Sequence, residues 1–131
     1  MISDELRAAN STGAITTGLL ALKIPVPLTT VQWADQHYYL PKESSYTPGR
    51  WETLPFQVAI MNSMGNDLIR TVNLIKSARV GYTKMLLGVV GYFIEHKSRN
   101  SLLFQPTDSA AEDFMKSHVE PTIRDVPALL E

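Results

Sequence analysis

Apolar residues along this chain change their spacing several times, and each change marks an element. Asp4 to Asn10 and Thr16 to Lys23 each have helical character, and Pro25 and Pro27 then stop regular structure. Thr29 or Thr30 is placed to cap a helix over Val31 to Tyr39, with Trp33, His37 and Leu40 near one face and Pro41 at its end. Lys42 to Trp51, with Pro48-Gly49, reads as a loop. Thr53 reads as the next N-cap, with Pro55 in the first turn of a helix that runs through Phe56, Ile60 and Met61 to Met64. Gly65-Asn66 closes it.

The period then changes. Thr71-Val72-Asn73-Leu74-Ile75 is a short β-branched run that predicts a buried strand, and Lys76 to Tyr82 follows as a loop. Thr83 to Lys97 is apolar on nearly every side, which predicts a buried helix. Ser101 to Gln105 reads as a second strand ended by Pro106. Asp108 or Ser109 caps a helix to about His118, and Pro121 can open one more short turn.

Helix, strand, loop, helix, strand, helix is the order of a βαβ unit, so the expected class is α/β with a parallel sheet and flanking helices. Parallel strands are covered on both faces and normally have several neighbours. Two alone do not make such a sheet, and the expectation is therefore of an incomplete one in a chain cut short. Residues 1–35 are expected to form a short helical leader and 36–131 the body of the domain.

With 131 residues, 44% hydrophobic and 19% charged, the chain suits one modest globular domain. The net charge of -1 creates no overall pull towards nucleic acid. The distribution is less even. From Lys42 to Arg99 there are eight basic residues (Lys42, Arg50, Arg70, Lys76, Arg79, Lys84, Lys97, Arg99) against four acids (Glu43, Glu52, Asp67, Glu95). A basic middle suits a phosphate-bearing ligand. The absence of cysteine excludes disulfides and thiolate zinc sites, and His37, His96 and His118 show no metal-ligand spacing. No run reaches the roughly 20 apolar residues of a membrane span. Gly13 to Leu28 lacks the basic start and small-residue cleavage site of a signal peptide. The expected setting is the cytoplasm, with no membrane partner.

The informative stretch is Leu74-Ile75-Lys76-Ser77-Ala78-Arg79-Val80-Gly81-Tyr82-Thr83-Lys84, a loop between predicted strand and predicted helix. Phosphate binding uses such a place because loop amides and the helix N-terminus converge on an anion. A lysine neutralises the outer phosphates and a hydroxyl at the helix start can hold Mg²⁺. Gly81 allows the bend, Thr83 supplies the hydroxyl, and Lys76 and Lys84 are candidate cations. The match to G-x-x-x-x-G-K-[ST] is incomplete. Lys76 or Ser77 replaces the first glycine, and Tyr82 stands where the lysine belongs. On pattern alone two readings stand: a phosphate cradle, or an ordinary strand-to-helix turn with solvated basic residues.

Five blocks in order add to this: Tyr39 to Ser44, Gly49 to Gln57, Lys76 to Lys84, Tyr92 to Lys97 and Phe114 to Asp125. Over about residues 30–131 the chain resembles the large terminase subunits of lambda-like phages. Those proteins package viral DNA into capsids with an N-terminal ATPase and cut it with a C-terminal nuclease. The resemblance implies an incomplete P-loop NTPase-type, helicase-like sheet that uses ATP and Mg. It places Lys76 on the outer phosphates and Thr83 beside Mg, with Arg79 and Lys84 near the nucleotide in a loop of Lys76, Ser77, Ala78, Arg79, Val80, Gly81, Tyr82, Thr83 and Lys84. Leu54-Pro55-Phe56-Gln57 resembles an adenine-reading element. The Gln57 amide can both donate to and accept from adenine, and Tyr46 can stack on the base. Gln57 can equally be a polar helix position and Tyr46 a loop aromatic. Gln105-Pro106-Thr107-Asp108 is either a coupling element or a helix cap.

Hydrolysis in this class needs adjacent acids at a strand end. Glu112-Asp113 falls mid-helix instead, so little ATPase activity and no nuclease activity are expected of these residues alone. The resemblance also implies partners: the small terminase subunit for the leader, and viral DNA and the portal for the intact protein. A non-catalytic interaction module or a prophage remnant is the alternative reading. A basic DNA-binding fragment fits poorly with the net charge.

Overall fold

A computed structural model describes residues 4–22, 26–42 and 47–130. Its elements are α1 (Asp4–Ala21), α2 (Thr30–His37), β1 (Tyr39–Leu40), β2 (Gly49–Arg50), α3 (Pro55–Met64), α4 (Tyr82–Glu95), α5 (Asp108–Phe114) and α6 (Glu120–Asp125). A π-helical turn, Met115–Val119, joins α5 to α6, and a 3₁₀ turn, Pro127–Leu129, follows.

The core forms around α4, the element that is apolar on nearly all sides. Met85, Leu87, Gly88, Val89, Gly91 and Tyr92 of α4 are buried. They meet Trp33, Ala34 and Tyr38 from α2 and its end, Trp51, Met61 of α3, and Val126. Two glycines set how closely these elements approach. A Cβ on Gly91 would lie 2.7 Å from the Trp33 ring, and one on Gly88 would lie 3.1 Å from the Tyr38 ring. The bare backbone of α4 is thus the surface on which two large aromatics of α2 rest.

Local chemistry starts and stops the helices. Thr29 and Gln32 form a capping box on α2: Gln32 N–H donates to Thr29 Oγ1 (3.2 Å), and Thr29 N–H donates to Gln32 Oε1 (3.0 Å). The start of α3 departs from expectation, because Leu54 occupies the N-cap. Thr53 is instead held outside the helix, where its hydroxyl donates to Asp35 Oδ1 (2.7 Å) and accepts from Trp51 Nε1 (2.8 Å). Thr107, one residue earlier than expected, caps α5 by accepting from Ala110 N–H (3.2 Å). Gln105-Pro106-Thr107-Asp108 therefore contains a helix cap. The leader is one helix across Gly13, not two, and Thr16 and Thr17 hydroxyls donate back to the Thr12 and Gly13 carbonyls. The far end of the second expected leader helix, at Lys23, lies outside the described residues. α2, which spans the expected division at residue 35, packs into the core.

The expected parallel sheet is the main correction. Among the described residues the strand pairing is β1 with β2, antiparallel, Tyr39 opposite Arg50 and Leu40 opposite Gly49. This hairpin falls partly within the predicted loop from Lys42 to Trp51. Residues 71–75 and 101–105 have no regular secondary structure. The physical reason is visible in their exposure: Ile75 is 101% exposed, Leu102 77% and Phe104 86%. Without neighbours to take their backbone groups and cover their side chains, β-propensity alone does not make a strand.

Polar contacts tie the periphery to α4. Leu28 N–H donates to His96 Nε2 (3.0 Å), Tyr92 OH donates to the Leu28 carbonyl (3.0 Å), and Trp33 Nε1 donates to the Glu95 carboxylate. Asp67, after α3, pairs with Lys97 (3.0 Å) and Arg99 (2.8 Å) after α4, and those two cations hold its carboxyl below the usual range. These groups are largely exposed, so the pair contributes little to stability. No described helix is long and apolar enough to cross a membrane.

Candidate nucleotide site

The loop from Lys76 to Gly81 leaves the irregular segment 71–75 and delivers the chain to the first turn of α4. Lys76, Ser77, Ala78, Arg79 and Gly81 are exposed and Val80 is half-buried. Two residues carry positive φ: Arg79 at 61° and Gly81 at 73°. Glycine adopts this region without penalty, whereas an arginine there costs roughly 1–2 kcal/mol. Gly81 is the N-cap of α4 and has no side chain to satisfy the first-turn amides. Those donors lack a capping side chain from Gly81 at the positive end of a 14-residue helix. Alternation of backbone hand before a helix is also the way successive amides are turned into an anion-binding concavity.

Lys76, Ser77, Val80 and Tyr82 line one cavity of about 210 Å³ with Phe56, Ile60, Leu74, Ile75 and Met85. The cavity is mostly apolar. Lys76 Nζ lies over the Tyr82 ring, 5.5 Å from its centroid. Thr83 is half-buried in the first turn of α4.

Gln57 is brought to the loop from α3. It is only 3% exposed, and its Nε2 would lie 3.7 Å from a Cβ on Gly81. Its Oε1 accepts from Leu54 N–H (3.0 Å), which satisfies an orphan donor at the start of α3. Glutamine at the third helical position thus also secures the start of α3 behind Leu54. Tyr46 lies outside the described residues.

Lys84 follows Thr83 in the first turn of α4. It is half-buried, and burial holds its ammonium below the ordinary lysine value. It lies near enough to His118 of the π-helical turn to act on that imidazole. Burial first, and the Lys84 charge second, hold His118 below its ordinary value. Tyr38 is buried in the same core, its phenol raised well above the usual range by burial. The nearby Thr122 hydroxyl donates to the His118 carbonyl (2.7 Å). Glu112 and Asp113 are exposed on α5, and Glu112 pairs with Lys116 at 3.6 Å.

Comparison with known proteins settles the family. Residues 45–131 match the family described as phage terminase large subunit gpA, ATPase domain. The chain belongs to this family. Among terminase relatives, the chain is 88% identical over 131 residues to the large subunit of Enterobacteria phage P21, covering all of this chain and 20% of that protein. It is 68% identical over 116 residues to the large subunit of Escherichia phage lambda, covering 88% of this chain and 18% of that one. A third relative, Protein TfaD of Escherichia coli K12, is 50% identical over 72 residues, covering 50% of this chain and 38% of that protein. No solved structure matches the chain. The chain thus spans about a fifth of the length of the terminase large subunits it resembles.

Proposed function

We propose that this terminase-family chain supplies the nucleotide-binding front of an ATPase that drives viral DNA into a capsid. The observation that carries the reading is the exposed loop at residues 76–81, bent by Arg79 and Gly81, opening on the uncapped N-terminus of α4 within an ATPase-domain match. In this reading Lys76 neutralises the outer phosphates of ATP. Loop amides from Ser77 to Tyr82 hold the polyphosphate, and Arg79 lies beside it. Gln57 and Tyr46 bear on the adenine, and Lys84 supports the site through α4.

The residues present fit ATP better than they fit a self-sufficient metal site. Among the described residues no group of three or more acidic or imidazole side chains converges. Thr83 offers one oxygen, and Mg²⁺ wants six, so phosphate oxygens and water would complete the shell. When bound, the ion draws charge from the phosphates during transfer. In the intact protein, segments 71–75 and 101–105 become neighbouring strands of a parallel, P-loop-type sheet. Their exposed Ile75, Leu102 and Phe104 support that placement. The setting is the host cytoplasm, with viral DNA and the portal as partners.

The test is thermal unfolding of the chain with and without MgATP. At ligand about a hundred times Kd the midpoint should rise by roughly 10 °C, and Lys76→Ala, by weakening binding about tenfold, should cut the rise to about half. An unchanged midpoint in the wild-type chain would sink the proposal. Steady phosphate release is expected only from the longer terminase subunit, because Glu112 and Asp113 stand on a solvated helix away from the loop.

A second reading has its own observation. α1 presents Ile15, Leu19 and Leu20 to solvent, each more than 60% exposed, and Leu22 just beyond it is 77% exposed. Such a face suits a docking role, and the small terminase subunit is the proposed partner.

A further inference from the structure

The first residue of α4 departs from the usual phosphate-loop pattern. A lysine ordinarily stands immediately before the hydroxyl residue, where the helix fixes its base. Here that place is Tyr82, and the basic residue is Lys76, six positions earlier on an exposed loop. A lysine on such a loop has a long, mobile stem and no fixed direction. Among the described residues, the hydrogen bond from Nζ to the neighbouring Ser77 carbonyl is long at 3.4 Å and stays next to its own backbone. The contact that gives the ammonium a place is the Tyr82 ring, with Nζ 5.5 Å from the centroid, within the reach of a cation–π attraction. The ring is half-buried and anchored by the first turn of α4. It therefore moves with the helix whose N-terminus would face the phosphates.

We propose that Tyr82 is a positioning residue for Lys76: its ring face takes the ammonium from an exposed loop and holds it in register with the α4 N-terminus. Helix and cation, separate in sequence, then act on one anion. This deepens the nucleotide reading and rests on it. The ring does not touch phosphate, and its hydroxyl is not required. What is required is an aromatic face.

Two measurements test this on the full chain. The first needs no nucleotide. The ε-methylene protons of Lys76 should be shifted upfield by the Tyr82 ring in NMR spectra, retained in Tyr82→Phe and lost in Tyr82→Leu. Unchanged signals from buried Val89 show that the variant still folds. If Tyr82→Leu unfolds, Tyr82→Met serves in its place. Random-coil shifts for Lys76 in the wild type would overturn the proposal. The second is a double-mutant cycle on MgATP binding. Tyr82→Leu should weaken binding about two- to fivefold and Tyr82→Phe less than twofold. In a Lys76→Ala background Tyr82→Leu should add no further loss. An equal loss in that background would mean that the ring acts without Lys76, which overturns the positioning role. Absence of MgATP binding by the wild type, with the upfield shift present, would instead fell the nucleotide reading and leave the ring–ammonium contact standing without its proposed purpose.

Discussion

Single residues decide how closely the elements of this chain meet. Gly91 and Gly88 sit on a helix where alanine would ordinarily gain about 1 kcal/mol in propensity. At Gly91 the added Cβ would stand 2.7 Å from Trp33, which cannot retreat because it is fully buried and its indole is held by Glu95. Overpacking of this kind costs about 1–3 kcal/mol, so the clash wins. Gly91→Ala should lower stability by about 1–2 kcal/mol in urea unfolding. Gly88→Ala, with 3.1 Å to the Tyr38 ring, should be closer to neutral. The reverse order would mean that α2 does not rest on α4 as described. None of this was legible in advance, since an apolar run marks a buried helix without saying which glycine faces an aromatic.

At the scale of elements, the π-helical turn between α5 and α6 holds an imidazole in an awkward place. His118 is half-buried, its Nδ1 has no hydrogen-bond partner among the described residues, and both burial and Lys84 disfavour its charged form. A group held below its unfolded value binds more protons when unfolded. Stability is therefore fully present above the ordinary histidine value and falls as pH drops through it. The chain's midpoint should decline between about pH 7.5 and pH 5.5, and His118→Phe should flatten that decline. An equal slope in the variant would assign the titration to another histidine. Here the helix to about His118 was foreseen and its π-turn, Met115–Val119, was not.

Across the whole molecule, α1 and the body behave as different kinds of object. α1 residues from Ser11 onward are exposed, whereas α2 supplies Trp33 and Ala34 to the core. Deleting residues 1–22 should therefore move the unfolding midpoint by no more than about 2 °C. The same deletion should abolish co-purification with the small terminase subunit. A large loss of stability would show that α1 packs on the body, and retained co-purification would remove it as the docking element. Deleting residues 1–35 instead would take Trp33 with it and confound the two effects.

The amino-acid sequence by itself determined what local chemistry controls: the Thr29 cap, Pro55 and Gly65 bounding α3, the apolar α4, and a loop with a glycine immediately before it. Family membership was legible too, because five blocks match in order. Long-range packing decided the rest. Residues 71–75 and 101–105 read as strands but stay irregular, because a strand exists only with a neighbour to bond. Gln57 serves a helix cap, Trp33 reaches Glu95, and Lys76 finds Tyr82. Each of those pairings depends on where a side chain lands in space, which residue spacing alone does not specify.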